Sequence, residues 1–143
     1  MAEQLAGLGW REYIGLPELG ISRVKAKIDT GARTSCIHAF TVEPFEKDGE
    51  NWVRFGVHPN QKDTVTEQWC EAKVVDCRPV TDSGGHTEMR YVISSKLVIG
   101  EHAFDAELTL SNRDNMRFRM LLGRTAMRNR FVVDSGASYL QGR

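Results

Sequence analysis

The sequence predicts an all-β domain built as a pseudo-twofold β barrel, with one short helix near its C-terminal end. Three observations support this fold class. Short runs rich in Val, Ile, Phe, Tyr and Trp alternate with Gly, Pro, Asn and Asp, as expected for strands and their turns. Apolar residues take alternate positions in several runs, which is typical of half-buried strands. Residues 13–29 and 97–112 also resemble each other as strand–turn–strand units, so two similar barrel halves are expected.

The predicted strands follow one another without a low-complexity segment or linker, so residues 1–143 are expected to form a single domain. In order, the strands are residues 12–15, 24–29, 35–43, 52–58, 67–75, 88–99, 103–110, 116–122 and 131–134. Gly100 marks the turn of a hairpin, and residues 125–129 form the predicted short helix.

Composition predicts a soluble cytoplasmic protein. A chain of 143 residues suits one buried core, and 19 basic against 19 acidic residues give no net charge that would indicate nucleic acid or membrane as a partner. Residues 1–10 lack the features of a signal peptide, and no apolar run is long enough to span a bilayer. Cys36, Cys70 and Cys77 cannot all pair and show no C-x-x-C spacing, which favours a reducing compartment.

The most informative motif is Asp29-Thr30-Gly31-Ala32, which follows the apolar alternation of Val24, Ala26 and Ile28. Aspartic peptidases present a catalytic carboxylate in this way, at the end of a buried strand and before a tight loop. Asp29 would activate water and Thr30 would brace the loop through its hydroxyl. Gly31 would allow backbone angles and a close approach that a Cβ obstructs. The same residues are ordinary turn formers, so the tetrapeptide by itself leaves both interpretations open.

A single such carboxylate per chain is half of a catalytic site. Aspartic catalysis uses two carboxylates that share one proton, one as base on water and the other as acid on the carbonyl, and they titrate as a pair. If Asp29 is catalytic, a twofold axis must bring Asp29 of a second copy beside it. The expected assembly is therefore a homodimer.

A second motif of the same form, Asp134-Ser135-Gly136-Ala137, follows a short apolar run. It could indicate a two-lobed enzyme in one chain, since Asp134 lies 134 − 29 = 105 residues after Asp29. Only the nine residues 135–143 follow it, however, which are too few for a second barrel. We predict that Asp134 ends a C-terminal strand.

A third Asp-Ser-Gly stands at Asp82-Ser83-Gly84, in a Gly-Gly turn with no buried strand leading into it. A mobile hairpin tip has this composition. Ser83, Gly84 and Gly85 are predicted to form a flap over the cleft and to contact substrate, the alternative being a plain hairpin turn.

Several segments are similar to the RimB-type family of retropepsin-like aspartic peptidases. The two signatures are Asp29-Thr30-Gly31-Ala32 and Leu121-Leu122-Gly123-Arg124, the latter followed by a short helix. The longer similar segments are residues 24–35, 57–59, 82–86, 107–114 and 120–126. The Ser-Gly-Ala that follows Asp134 departs from the family's usual pattern. This family is often labelled an ATP-dependent zinc protease and is encoded beside, or fused to, RimK-type glutamate ligases.

The resemblance implies a single-lobed acid-protease fold: a closed retropepsin-like barrel in which the apolar-apolar-Gly segment threads under the catalytic loop and Gly123 allows the close crossing. It implies a homodimeric endopeptidase whose catalytic loop is Asp29, Thr30 and Gly31, with Ala32 and Arg33 contacting substrate. The implied partners are a RimK-type glutamate ligase and a glutamate-tailed ribosomal protein, in the pathway that adds and trims such tails.

The zinc and ATP labels have little support in the sequence. H-E-x-x-H and G-x-x-x-x-G-K-[ST] are absent. Cys36-Ile37-His38 puts two ligand types on one strand face, but tetrahedral zinc needs three or four ligands. We therefore expect neither metal nor cofactor, any ATP dependence belonging to the ligase partner. A zinc-dependent protease is kept as an alternative.

Arginine is concentrated in residues 113–130, where six arginines against one acid give 6 − 1 = +5. Arg117 and Arg119 alternate with apolar residues, so both would point off one strand face. Together with Arg124 they are predicted to bind carboxylates of a glutamate-rich substrate by bidentate hydrogen bonds, the alternative being a solvated outer face. No nucleic-acid-binding motif is present, so direct nucleic-acid contact is not expected.

Two classes of function remain open from the sequence. One is an aspartic endopeptidase acting on glutamate-tailed protein. The other is a non-catalytic module that regulates the ligase or docks on its substrate, with the Asp-Thr-Gly loop kept for structure.

Overall fold

The computed structural model describes residues 5–81, 84–112 and 118–142, and these residues are predominantly β. In chain order the strands are β1 (Ala6–Leu8), β2 (Arg11–Leu16), β3 (Ile21–Ile28), β4 (Ser35–His38), β5 (Thr41–Lys47), β6 (Glu50–Val57), β7 (Gln68–Thr81), β8 (Thr87–Ile99), β9 (His102–Ser111), β10 (Met120–Leu122) and β11 (Phe131–Val133). A 3-10 turn, Pro17–Leu19, follows β2, and the helix α1 (Arg124–Met127) follows β10. The prediction of an all-β fold with one short C-terminal helix is confirmed.

Six strands close a barrel in the order β2, β3, β10, β4, β9 and β8, with β8 pairing back to β2 through Gly15 and Val98. This order is preserved when β2 exchanges with β8, β3 with β9 and β10 with β4. The exchanged neighbours also match in direction, since β3–β10 and β4–β9 are both parallel and β10–β4 is antiparallel. The predicted pseudo-twofold relation between the barrel halves is therefore confirmed.

The barrel interior is filled by alternate residues of each strand, the ones whose side chains point inward. Ile14, Val24, Ala26, Met120 and Leu108 are among its fully or almost fully buried members. The predicted hairpin at Gly100 joins β8 to β9, with Ile99 opposite His102, and Gly100 has the left-handed φ of 59° that the turn needs.

The single strand predicted for residues 35–43 was wrong, because the chain changes sheet neighbours at Ala39. The N–H of Ala39 donates to Ser111 O on β9, whereas the N–H of Phe40 donates to Gly56 O on β6. Phe40 packs so closely on Gly56 that a Cβ there would lie 2.2 Å from its ring. The chain therefore leaves the barrel as β4 and begins the outer strand β5.

Other predicted bounds also differ from the structure, and three of these differences have a clear structural setting. The strand predicted for residues 116–122 begins only at Met120, with residues 116 and 117 outside the described ranges. The helix predicted to end at Asn129 ends at Met127, since Arg128 already has an extended ψ of 128° and Asn129 then takes a left-handed φ of 65°. The strand β7 runs six residues past its predicted end because it forms the long hairpin with β8.

A two-stranded parallel sheet, β1 with β11, lies beside the barrel and pairs Ala6 with Phe131 and Leu8 with Val133. The strand β1 was not predicted. Asp134 follows β11 directly, which confirms that it ends a C-terminal strand. In the described part of the chain, no helix has the length and apolar character needed to cross a membrane.

Candidate active site

Asp29 stands immediately after β3, at the start of a tight turn. Its backbone N–H donates to Leu122 O at the end of the parallel strand β10, at 2.9 Å. Its Oδ1 accepts the N–H of Gly31 at 3.0 Å, and its carbonyl accepts the N–H of Ala32 at 3.2 Å. The residue is half-buried. These bonds fix the position of the carboxylate at the edge of the barrel.

The segment after β10 crosses beneath this loop. The N–H of Gly123 donates to the buried Ser35 Oγ at 2.9 Å, and a Cβ on Gly123 would lie 2.7 Å from the carbonyl carbon of Thr34. Backbone cannot yield to such a contact as a flexible side chain can, so the position requires glycine. The predicted close crossing at Gly123 is confirmed. Ser35, as the hydroxyl that receives this N–H, was not foreseen, although a lone serine opening a fully buried strand was a usable signal.

The start of α1 braces the loop from the other side. Arg124 donates its backbone N–H to Ala32 O at 2.8 Å and its Nη1 to Gly31 O at 3.3 Å. Thr125 donates both its N–H and its hydroxyl to Arg33 O, at 3.1 and 2.8 Å. Arg124 is therefore a partner of the loop itself, while its predicted contact with substrate stays a prediction.

One local explanation given from the sequence needs correction. Gly31 does not have a left-handed φ, so backbone angle is not the reason for glycine there. A Cβ at Gly31 would lie 3.3 Å from Asp29 Oδ1, tight enough to press on the carboxylate, so the close approach is the reason that remains. Thr30 is exposed, and its bracing of the loop stays a prediction.

Sheet register defines the face on which the Asp29 side chain lies. Lys27, Leu121, Cys36 and Thr109 are successive neighbours across β3, β10, β4 and β9. Residues opposite each other in a sheet point to the same side, and Asp29 is two residues beyond Lys27. The face that carries these residues, opposite to the barrel interior, is called the cleft face below.

The other predicted site residues are placed as follows. Gly84 and Gly85 are exposed at the tip of the β7–β8 hairpin, where Gly85 has a φ of 85°, and Ser83 lies outside the described residues. Ala32 is half-buried and Arg33 is exposed at the Asp29 loop.

Two of the predicted arginines precede β10. Arg119 lies beside β4, and its carbonyl accepts the N–H of His38. The Nε of Arg119 is buried with no partner among the described residues. Arg117 lies outside the described residues.

Cys36 and His38 lie two residues apart on β4, as predicted for one strand face, and both are buried. Burial raises the pKa of the Cys36 thiol, which disfavours the thiolate that would bind zinc. In residues 5–81, 84–112 and 118–142, no three His, Cys, Asp or Glu side chains come together as a metal site. The expectation of a metal-free protein stays a prediction.

The Asp134 motif repeats the hydrogen bonds of the Asp29 motif almost bond for bond. Asp134 donates its N–H to Leu8 O at 2.8 Å, across the parallel pair β11–β1. Its Oδ1 accepts the N–H of Gly136 at 3.0 Å, and its carbonyl accepts the N–H of Ala137 at 3.2 Å. Gly9 takes the place of Gly123, since a Cβ there would lie 2.4 Å from Ala137 O. The chain thus contains two copies of one loop.

Trp10, the residue before β2, separates the two copies. The Trp10 N–H donates to Ala137 O, and the Trp10 carbonyl accepts the N–H of Ile28, the residue before Asp29. The Asp134 loop therefore lies on the N–H side of Trp10, and the strand end that leads into the Asp29 loop lies on its carbonyl side. With a strand between them, Asp134 and Asp29 of one chain are not arranged as a carboxylate pair.

The fold and the loop are those of a retropepsin-like subunit. The chain belongs to the RimB-like family, described as retropepsin-like aspartic endopeptidase RimB, which it matches over residues 7–143.

Its relatives include longer proteins named "Probable alpha-L-glutamate ligase". The one from Shewanella halifaxensis is 47% identical over 135 residues, which cover 94% of this chain and 30% of the relative. The one from Desulfotalea psychrophila is 48% identical over 127 residues, 89% of this chain and 27% of the relative. The chain thus spans about a third or less of the length of these proteins.

A solved structure, a Legionella pneumophila protein of unknown function, superposes with a TM-score of 0.80 over 96% of this chain and 99% of the other. The two sequences are 24% identical, so this likeness supports the fold alone.

Proposed function

We propose that this protein is an aspartic endopeptidase whose site is formed by Asp29 from each of two copies. The observation that carries the proposal is the position of Asp29, at the end of a buried strand, with its loop fixed by the Gly123 crossing below and by α1 beside it. A carboxylate held this rigidly at a barrel edge is pre-organised for chemistry.

The chemistry follows from two carboxylates sharing one proton. The ionised member takes a proton from water while the protonated member donates one to the substrate carbonyl oxygen, giving a tetrahedral diol. The pair then donates its proton to the amide nitrogen and takes one from a hydroxyl of the diol, so that the C–N bond breaks, a carboxyl product forms and the pair again holds a single proton. The apparent pKa values of such a site belong to the pair.

The second copy would approach the side of the chain where β1 and β11 lie. In this chain β1 and β11 pair with each other, whereas an unpaired terminal strand could pair with a strand of the second copy. Val132 is 56% exposed, and Leu140 is exposed beside Gly7, to which Val132 is paired. These apolar side chains support an interface there, of modest area, so a weak dimer that substrate strengthens is expected.

The proposed setting is a cytoplasmic pathway of glutamate-tail addition and trimming, with a glutamate-tailed protein as substrate. It is supported by the family, and by the ligase name of relatives in which a region like this chain is one part. The test is release of glutamate or oligoglutamate from a glutamate-tailed protein, followed by mass spectrometry. Activity should persist in a metal chelator and be absent in Asp29→Asn. Loss on chelation with recovery on adding zinc would instead favour the metallopeptidase alternative.

A second candidate function is a non-catalytic module for the ligase. It is favoured by one observation, that similar sequence occurs within proteins named as glutamate ligases. In that case Asp29→Asn would leave ligase binding and ligase activity unchanged, and the wild-type chain would release no glutamate.

A further inference from the structure

Arg90 is a mostly buried arginine on the cleft face that sequence patterns did not single out. It lies on β8, opposite Arg78 of β7, and its side chain is 11% exposed. Its Nε donates to Glu88 Oε1 at 2.6 Å, and its Nη1 donates to Cys36 Sγ at 3.5 Å. The guanidinium therefore reaches across β9 to β4, the strand that follows the Asp29 loop.

The position of Cys36 ties this guanidinium to the candidate active site. Cys36 shares a row with Leu121 and Lys27, on the face that carries Asp29. Two strand spacings of ~4.8 Å each separate β4 from β3, and Asp29 lies two residues, ~7 Å, along β3 beyond Lys27, so the point that Arg90 reaches is about 12 Å from Asp29. An extended peptide advances ~3.4 Å per residue, so this point is about three to four residues from the bond at Asp29.

The contacts of Arg90 occupy only part of its guanidinium. The carboxylate of Glu88 is held by the Ser111 hydroxyl at 3.0 Å as well as by Arg90 Nε. Burial raises the pKa of the Cys36 thiol, so this neighbour stays neutral and supplies no second counter-charge. A planar guanidinium fixed along one edge presents its other edge in the fork geometry that matches a carboxylate.

Arg78 offers a contrast on the same face. Its Nε donates to Asp76 Oδ2 at 2.8 Å and its Nη2 to Glu107 Oε1 at 3.0 Å, so two carboxylates already occupy it. Arg78 is also more exposed, at 36%. It supplies a matched control with the same charge, the same sheet face and a neighbouring strand.

We propose that Arg90 is a specificity-determining residue, which binds the carboxylate of an acidic side chain about three to four residues from the scissile bond. Glu88 holds the Nε edge, and the substrate carboxylate takes the Nη edge beside Cys36. This inference rests on the proposed endopeptidase function for its meaning, but the binding it predicts can be measured without catalysis.

The test uses Asp29→Asn protein, which keeps the shape of the loop, with fluorescent oligoglutamate and oligoglutamine peptides of equal length. The parent should bind oligoglutamate more tightly. Adding Arg90→Met should reduce this preference about tenfold or more, the scale of a lost charge-assisted hydrogen bond pair. Arg78→Met should change it less than about twofold. Glu88→Gln should strengthen oligoglutamate binding, since the negative charge beside the guanidinium is removed.

Several results would overturn the inference. They are an unchanged preference in folded Arg90→Met, an equal loss in Arg78→Met, weaker oligoglutamate binding in Glu88→Gln, or no preference in the parent. If Arg90→Met does not fold, Arg90→Lys replaces it. Lysine keeps the charge but loses the fork, so the preference should fall several-fold, and an undiminished preference would contradict the proposal.

The same variants in the wild-type background separate the two proposals. If oligoglutamate is cleaved but Arg90→Met leaves the KM ratio of acidic and neutral peptides unchanged, the function stands and the specificity assignment fails. If the Arg90-dependent preference is present in binding but the wild-type chain cleaves neither peptide, Arg90 stands as the residue that binds the acidic side chain, and the endopeptidase proposal fails.

Discussion

The two Asp-x-Gly-Ala loops share their internal hydrogen bonds but differ in what surrounds them. The Asp29 loop follows a strand of the closed barrel, Asp29 itself is half-buried, and Arg124 and Thr125 brace the loop. The Asp134 loop follows a strand of the two-stranded sheet, and Asp134 itself is exposed. The tetrapeptide therefore specifies a turn, whereas under the proposed function catalysis would depend on the surrounding strands, the helix and a second copy.

The largest expected difference between the loops is chemical. Asp29→Asn should abolish hydrolysis, because an amide cannot accept the proton from water, while Asp134→Asn should keep most of the activity. Both changes preserve the Oδ1 that accepts the glycine N–H, so folding should be similar. The rates are compared on a glutamate-tailed substrate, with circular dichroism as the folding control. Equal losses in two folded variants would contradict the assignment of catalysis to Asp29 alone.

The second prediction concerns the support of the Asp134 side. Glu12 is fully buried, and its carboxylate accepts three backbone N–H groups, from Gly9, Leu140 and Gln141. Glu12→Ala leaves those buried donors unpaired, so stability should fall by about 3 kcal/mol or more. Urea unfolding measures the loss. Under conditions where the variant is folded, kcat should change little, and a large fall in kcat with stability intact would give this region a direct catalytic role.

Two serine-to-alanine changes compare a buried hydrogen bond beneath the Asp29 loop with a part-buried one beside the Asp134 loop. Ser35→Ala removes the buried acceptor of the Gly123 N–H and should cost about 1–3 kcal/mol. Ser138→Ala removes only a part-buried contact with Arg11 and should stay within about 0.5 kcal/mol. Thermal unfolding of both variants checks the order. A larger effect at Ser138 would mean that the C-terminal segment contributes more to the stability of the fold than the crossing at Gly123 does.

The smallest expected effect comes from adding one methyl group to each loop. A Cβ at Gly31 would lie 3.3 Å from Asp29 Oδ1, whereas one at Gly136 would lie 3.5 Å from Asp134 Oδ1, an ordinary contact. Gly31→Ala should therefore lower kcat several-fold by displacing the carboxylate. Gly136→Ala should leave kcat within about twofold, and steady-state kinetics on the same substrate distinguishes the two.

Local patterns predicted much of this fold, because strand alternation and turn residues are encoded in short segments. The strand before Asp29, the hairpin at Gly100 and the crossing at Gly123 are such features. The break at Ala39 was not predictable in the same way, since it depends on Phe40 meeting Gly56 on a distant strand. The strand β1 was missed because its partner, β11, lies more than a hundred residues away.

The site was partly predictable for the same reason. Asp29 carries a recognisable motif, but Ser35 and Arg90 act through contacts with residues 88 and 54 positions away in sequence. The loop at Asp134 shows that a local pattern can also mislead, because nearly the same four residues occur there in different surroundings. Sequence pattern identified where a carboxylate would be held, and sheet register was needed to show which side chains share its face.

The central claim is that each chain supplies one half of the site, and mixing two kinds of chain tests it most directly. At concentrations below the dimer dissociation constant, activity should rise with the square of the wild-type concentration. An excess of Asp29→Asn chain should then suppress it by forming mixed dimers with one carboxylate, while an excess of Asp134→Asn should not. Activity that is linear in enzyme from a strictly monomeric chain, unaffected by the Asp29→Asn chain, would contradict the account.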